Sequence, residues 1–362
     1  MGGRIAALVV KELLAILRDP KGRLVLIAPP LIQLLIFSYA ATLEVKNVEI
    51  AILNQDSGRW GAELIQRIDG SPTFTRIVYL HDPDALEEAI DRGRVIAAIR
   101  IGPGFSRDIE AGRPATVQAI LDGRRSNAAQ IVAGYIGRIV DGMAPAPEPR
   151  PSIEARNWFN PNLNFIWYTV PSLVAIISLL IGLIVTALSV ARERELGTFD
   201  QLMVSPLRTH EILVGKTVPP LLIGLVHSTI FILAAVLVFD VPLRGSVPLL
   251  YASLVFYLAA TIGVGLFISA LSATQQQAIL GAFLFASPAI LLSGFATPID
   301  NMPEWLQPVT MVNPLRHFLA IVQGIFLKDL PAGQVIAGTI PLALIALATL
   351  TAAAWLFRRR ME

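Results

Sequence analysis

Lys216 belongs to a grouping that invites a nucleotide-binding reading. It stands between Gly215 and Thr217, and Gly-Lys-Thr ends the loop that cradles nucleotide phosphates. That loop needs a glycine five residues before Gly215, and the residue there is His210. No strand precedes the grouping and an apolar run follows it, so it is not read as an ATP site. His210-Glu211 opens like a zinc-protease helix, but Val214 stands where the second histidine should be. His81 and Asp82 are adjacent, and neighbours on a strand point to opposite faces, so they do not pair for acid–base work. The chain has no cysteine, which removes disulfides, thiolate metal sites and a cysteine nucleophile. His227 lies inside an apolar run. It is either a functional intramembrane group or a neutral imidazole bonded to a neighbouring helix. The lack of a second titratable group in that run favours the neutral reading. No residue set here supports catalysis, and none is expected to bind a cofactor or a metal.

One grouping suits docking rather than catalysis. From Arg192 to Asp200 the chain reads Arg192-Glu193-Arg194-Glu195-Leu196-Gly197-Thr198-Phe199-Asp200, with five charges in nine residues. Gln201-Leu202 and Ser205-Pro206 follow. The run just upstream, Phe165 to Val190, carries no charge. A long apolar segment that ends in alternating Arg and Glu, then Gly-Thr, is suited to a helix end that touches a partner outside the membrane.

The elements around this segment are mostly apolar. Apolar residues make up 54% of the 362 and charged residues 15%, where a soluble domain carries about a quarter charged. The charges are concentrated: residues 44–165 hold 14 Lys and Arg and 16 Asp and Glu. The rest is therefore apolar enough for a membrane protein with one soluble insertion. A net charge of +2 without a large basic cluster excludes nucleic acid as a partner.

A span needs about 20 apolar residues. Six runs qualify: Leu24–Leu43, Ile166–Val190, Val218–Phe239, Leu249–Leu271, Ala278–Phe295 and Val335–Phe357. Lys and Arg cluster before the first run, between the second and third, and after the sixth at Arg358–Arg360. The positive-inside rule then puts both termini in the cytoplasm, with residues 44–165 and 296–334 outside. Ser38-Tyr39-Ala40 could mimic a leader-peptide cleavage site, but the apolar run is too long for one. Residues 3–19 read as an amphipathic interfacial helix. Arg4, Lys11 and Arg18 form one basic stripe, and Asp19-Pro20 ends the helix.

The insertion alternates strand and helix patterns. Strands are expected at Val48–Leu53, Phe74–Leu80, Val95–Ile101 and Thr116–Leu121. Helices are expected at Trp60–Ile68, Pro83–Arg92 with Asp82 as N-cap, Pro103–Ala111 and Asn127–Met143. A proline-rich connector, Ala144–Pro151, and an extended Ile153–Phe159 lead back to the membrane. The fold expected is an α-helical integral membrane protein with six transmembrane helices and a small extracytoplasmic α/β domain between the first two. After the fifth run, residues 296–318 are too proline-rich to span and too apolar for a free loop. They fit a re-entrant segment at an outer rim, with Trp305 at the interface.

These motifs resemble one family, the permease subunits of type-2 ABC exporters. Arg192-Glu193-Arg194-Glu195-x-Gly197-Thr198-x-x-Gln201-Leu202, followed by Ser205-Pro206, is similar to that family's coupling segment. Gly294, Pro298, Met302-Pro303, Asn313-Pro314 and Phe318 resemble its outer signature. Lys11-Glu12 through Arg18-Asp19-Pro20 resembles its N-terminal helix. Phe199-Asp200 departs from the pattern, where a smaller or aliphatic residue and Glu are commoner.

The resemblance implies a dimer of permease chains, a homodimer or a pair with a sister subunit. It implies docking on separate ATPase subunits that carry ATP and Mg, in a bacterial inner membrane. Membrane lipids, and a periplasmic adaptor on the external domain, are further implied partners. The pathway would run along the dimer seam, lined by the second and fifth spans. Ser172, Ser178, Thr186, Gln275, Gln276 and Ser287 would face it or serve as ordinary helix packing. An apolar pathway suggests a hydrophobic or amphipathic cargo, drug-like or lipid-like. A channel or ion-coupled carrier without an ATPase is disfavoured by the lack of intramembrane Asp, Glu and His relays. A receptor acting through its external domain would not need six spans.

Overall fold

The structure is a computed structural model that describes residues 2–18, 20–40, 48–122, 126–143, 159–160, 164–199 and 208–361. Its contacts divide the chain into two compact units, residues 42–155 and the remainder.

Helices α1 (Gly2–Arg18) and α2 (Pro20–Ala40) open the helical unit. In the second unit, β1 (Val48–Asn54), β2 (Phe74–Leu80), β3 (Ala97–Ile101) and β4 (Val117–Leu121) form one sheet of order β2-β1-β3-β4. β1 is parallel to both neighbours, and β4 runs antiparallel to β3. The period of two in β1 sends Ile50 and Ile52 to a core with α3 (Arg59–Asp69), α5 (Phe105–Glu110) and α6 (Ser126–Asp141). Ala51 and Leu53 face the other side, against α4 (Pro83–Asp91). Asp82 caps α4 by accepting from Asp84 N at 3.1 Å.

A buried Asp56 fastens the turn after β1. Ser106 Oγ donates to Asp56 Oδ2 at 2.5 Å, and the amides of Ser106 and Gly58 donate to the same carboxylate. Burial alone would raise the Asp56 pKa, but these donors hold it below its ordinary value. The network organises a chain turn, and among the described residues no group of acidic, histidine or cysteine side chains could hold a metal ion.

The helical unit resumes at Asn164. Its side chain caps α7 (Phe165–Glu195) and its backbone is tied to Asn160 by two bonds of 2.9 Å. Then come α8 (Thr209–Leu237), α9 (Val247–Leu271), α10 (Gln275–Leu291), α11 (Pro314–Lys328) and α12 (Ala332–Met361). Among the described residues, four helices are long and apolar enough to cross a membrane: 165–195, 210–237, 247–271 and 332–359.

The other two predicted spans are shorter. In α2 the apolar stretch is Ile27–Ser38. α10 has 17 residues and stops at Leu291 instead of Phe295. Pro288 lies in its last turn, and the chain then bends through Gly294 at φ +90°, a conformation that suits only glycine well. At 1.5 Å per residue α10 is about 25 Å long, against about 30 Å of bilayer hydrocarbon.

Packing centres on α7 and α9. Tyr257 and Phe318 are fully buried and stack at 4.3 Å, and the Tyr257 hydroxyl donates to Ala175 O at 2.8 Å. That pair joins α7, α9 and α11. On α10 the small residues Ala278, Ala282 and Ala286 let it lie against Leu183, Ala187 and Ala191 of α7.

Candidate functional site

Four charges meet where α1, α7 and α8 come together. Lys216 of α8 has no exposed side-chain surface. Its Nζ lies 2.8 Å from Glu193 Oε2 of α7 and 3.1 Å from Glu12 Oε1 of α1. Its hydrogen bonds go to Glu12 and to Ser189 Oγ at 3.2 Å; the Glu193 contact is an ion pair off the hydrogen-bonding direction. Lys11 donates to Glu193 Oε1 at 2.8 Å, and its Nζ is 3.5 Å from Glu12. Two lysines and two glutamates balance to zero charge, the condition under which buried ions are tolerated. Burial works against the charge on Lys11. The Glu193 bond and the nearby carboxylates outweigh that and hold its pKa above its ordinary value.

The amphipathic pattern of α1 seats it for this contact. Leu8 and Glu12 are one turn apart, on the face that meets α8. Leu8 is 5% exposed and fills the space over Gly215, where a Cβ would fall 2.6 Å from its Cγ. So the Gly215-Lys216 pair does have a joint use: the glycine admits α1 and the lysine ties it down. Arg18 is exposed at the end of α1.

The charges after Val190 divide between the interior and the surface. Glu193 is buried in the cluster. Arg194 donates to Ala270 O and Ser272 O at 2.8 and 3.1 Å and stacks over Phe199. Glu195 Oε2 accepts from the backbone and side-chain nitrogens of Gln275 at 2.9 and 3.2 Å. Arg192 is half-buried and engaged within the chain. Gly197 takes φ +71°, and Thr198 N closes back on Glu193 O at 2.9 Å, the glycine stop of a helix. Leu196 is left 64% exposed at this end. Gln201 and Leu202 lie outside the described residues.

At the opposite end, the segment 292–313 contains 3-10 turns at Ile299–Asn301 and Val309–Val312. Asn313 does two jobs. Its Oδ1 caps α11 through Leu315 N at 3.1 Å, and its Nδ2 donates to Ala289 O at 2.7 Å, a carbonyl in the last turn of α10. Pro314 starts α11 and Phe318 is fully buried on Tyr257. Gly294 makes the bend and Pro298 precedes the first 3-10 turn. Trp305 is 72% exposed. Tyr168 donates to Phe295 O at 3.2 Å and stacks on the Phe295 ring.

Of the proposed pathway residues, Ser178 pairs with Ser228 at 2.7 Å, and Thr186 and Ser172 bond to carbonyls of their own helix. Ser172 also accepts from Gln323 Nε2 at 2.8 Å. His227 Nδ1 lies 2.9 Å from Ile223 O, one turn back on its own helix.

Sequence reasoning set Lys216 aside with the rejected phosphate loop and passed over Ser189. The usable signal is a lysine with apolar neighbours at the mouth of a span. Such a charge needs a carboxylate, and the acidic residues that meet it are Glu12 on the amphipathic α1 and Glu193 in the last turn of α7.

Comparison with known proteins points to one family. The sequence pattern described as "ABC-2 family transporter protein" matches residues 24–355. A probable multidrug ABC transporter permease, YbhR, of Escherichia coli K12 is 44% identical over 364 residues, covering 99% of each chain. A second probable multidrug ABC transporter permease of that organism, YbhS, is 32% identical over 94% of this chain and 91% of its own. The inner membrane transport permease YhhJ is 33% identical over 68% of each.

Proposed function

This chain belongs to the ABC-2 transporter family, and we propose that it forms the membrane pathway of an exporter driven by separate ATPase subunits. It is a multi-pass membrane permease subunit of the ABC class. In our reading α2 and α10 join the four long helices to make six spans. Both termini face the cytoplasm, and the α/β unit lies outside, in the bacterial inner membrane. Two permease chains pair, and the seam between them is the pathway. ATP and Mg are bound by the partner ATPases, not by this chain.

The observation that carries the proposal is the buried charge cluster. It ties α1 and α8 to α7 at Glu193, two residues before the exposed turn Glu195–Thr198. A partner that pushes on that turn acts on three helices at once, because separating them would leave buried charges unpaired. Arg194 and Glu195 extend the linkage to α9 and α10. ATPase closure is thereby delivered to the helices that line the seam.

The cargo we propose is a hydrophobic or amphipathic drug-like compound. The apolar helices and the names of the relatives YbhR and YbhS support that class. Vesicles holding this chain and its co-purified ATPase are expected to move a lipophilic cationic dye on addition of ATP. Glu193→Lys, which sets three cations around Glu12, is expected to abolish that movement. Dye movement equal with and without ATP would overturn the proposal.

A further inference from the structure

An apolar groove of about 730 Å3 runs between α9, α10 and α12. Its walls include Phe267 and Ile268 of α9, Leu284 and Phe285 of α10, and Ala348 and Ala352 of α12. Gly281 widens it on the α10 side. One end of the groove is polar, with Ser272 and Gln277 in its lining.

The same end is basic. Gly245 N donates to Ile325 O, so the start of α9 lies by the end of α11, three residues before α12 begins. The two helices therefore run in the same direction, and Thr349 packs beside Gly263. Counting onward from that contact brings Arg359 level with the Ser272 turn. Arg359 is seven residues after Ala352, so the two are about 20° apart on one face of α12. Its guanidinium stacks on the Trp355 ring, 4.3 Å from its centre, and the residue is exposed. Arg194 also sits at this end, on the carbonyls of Ala270 and Ser272. The nearby carboxylate of Glu195 is occupied by Gln275.

Apolar walls with a hydroxyl and an amide in the lining, and an arginine level with that end, are complementary to an anionic amphiphile. We propose that this groove is a binding site for a phospholipid with an anionic headgroup, one acyl chain lying in the groove and the phosphate at Arg359. The bound lipid would fill the space between α10 and α12 and steady the short helix α10. The inference rests on the membrane reading above only in placing Arg359 at the membrane edge.

The test is native mass spectrometry of the full chain, purified with its partner ATPase, after equilibration with phosphatidylglycerol or phosphatidylcholine. Wild type is expected to retain phosphatidylglycerol about fivefold better than Arg359→Gln, the change that about 1 kcal/mol for one basic residue at the surface corresponds to. Phosphatidylcholine should show no such difference. Ala348→Trp, which fills the groove from an exposed position, should lose retention of both lipids. Retention that is equal in all three proteins, or loss of chain pairing in Ala348→Trp with lipid retained, would overturn the site; the second result would assign the groove to another copy of the chain. The ATPase in each preparation reports separately on the permease reading.

Discussion

Lys216→Met is expected to cost about 3–5 kcal/mol of stability, the usual consequence of removing one partner from a buried ion pair. Glu12 and Glu193 would remain mostly buried, with only the half-exposed Lys11 to balance them. The variant should melt well below wild type in detergent and accumulate poorly. The cost comes from stranded charge, not from lost volume, since methionine nearly fills the lysine stem. Adding Glu12→Gln and Glu193→Gln to Lys216→Met should therefore recover much of the loss. Equal melting of Lys216→Met and wild type would show that the cluster is not closed in the folded protein. Failure of the triple variant to recover would show that packing, not charge, holds α1 in place.

Gly263→Leu is the second large effect. A Cβ at Gly263 would land on Thr349 Oγ1 and lie 2.9 Å from the backbone nitrogen of Leu350. The obstacle is partly backbone, so no rotamer change relieves it. α9 and α12 would have to separate, losing the bond from Thr349 Oγ1 to Ala260 O as well. Overpacking of this kind costs about 1–3 kcal/mol and more where backbone must move. Gly333→Leu is the matched control, because a Cβ there meets nothing within 4 Å. A lower melting temperature for Gly263→Leu but not for Gly333→Leu is expected. Similar melting of the two would contradict the close α9–α12 contact.

Much of this architecture is legible in the amino-acid sequence. The uncharged run to Val190 and the charges after it locate the exposed end of α7, because apolar length and charge are local properties. The alternation in residues 48–121 is legible for the same reason: the strand period of two and helix caps such as Asp82 act over a few residues. Partners distant in sequence are not legible. Glu12 and Lys216 are 204 positions apart, and nothing in either neighbourhood names the other. Gly-Lys-Thr even points toward nucleotide chemistry, when its use is close helix packing plus a buried cation. The charges Arg192–Glu195 look alike in sequence, yet helix periodicity turns Glu193 inward and leaves Glu195 at the surface. Apolar composition carries the fifth run to Phe295, since Leu292 and Phe295 continue the pattern, while the helix stops at Leu291 before the bend at Gly294.

The measurement that tests the central claim most directly is co-purification of an ATPase with the tagged full-length chain from its own membrane. Leu196→Glu is the variant of choice, because Leu196 lies at the exposed turn and outside the charge cluster. Wild type is expected to carry an ATPase subunit, identified by mass spectrometry, and Leu196→Glu to lose it while melting at the wild-type temperature. A wild-type chain that carries no ATPase under gentle detergent, or a variant that keeps it undiminished, would contradict the account.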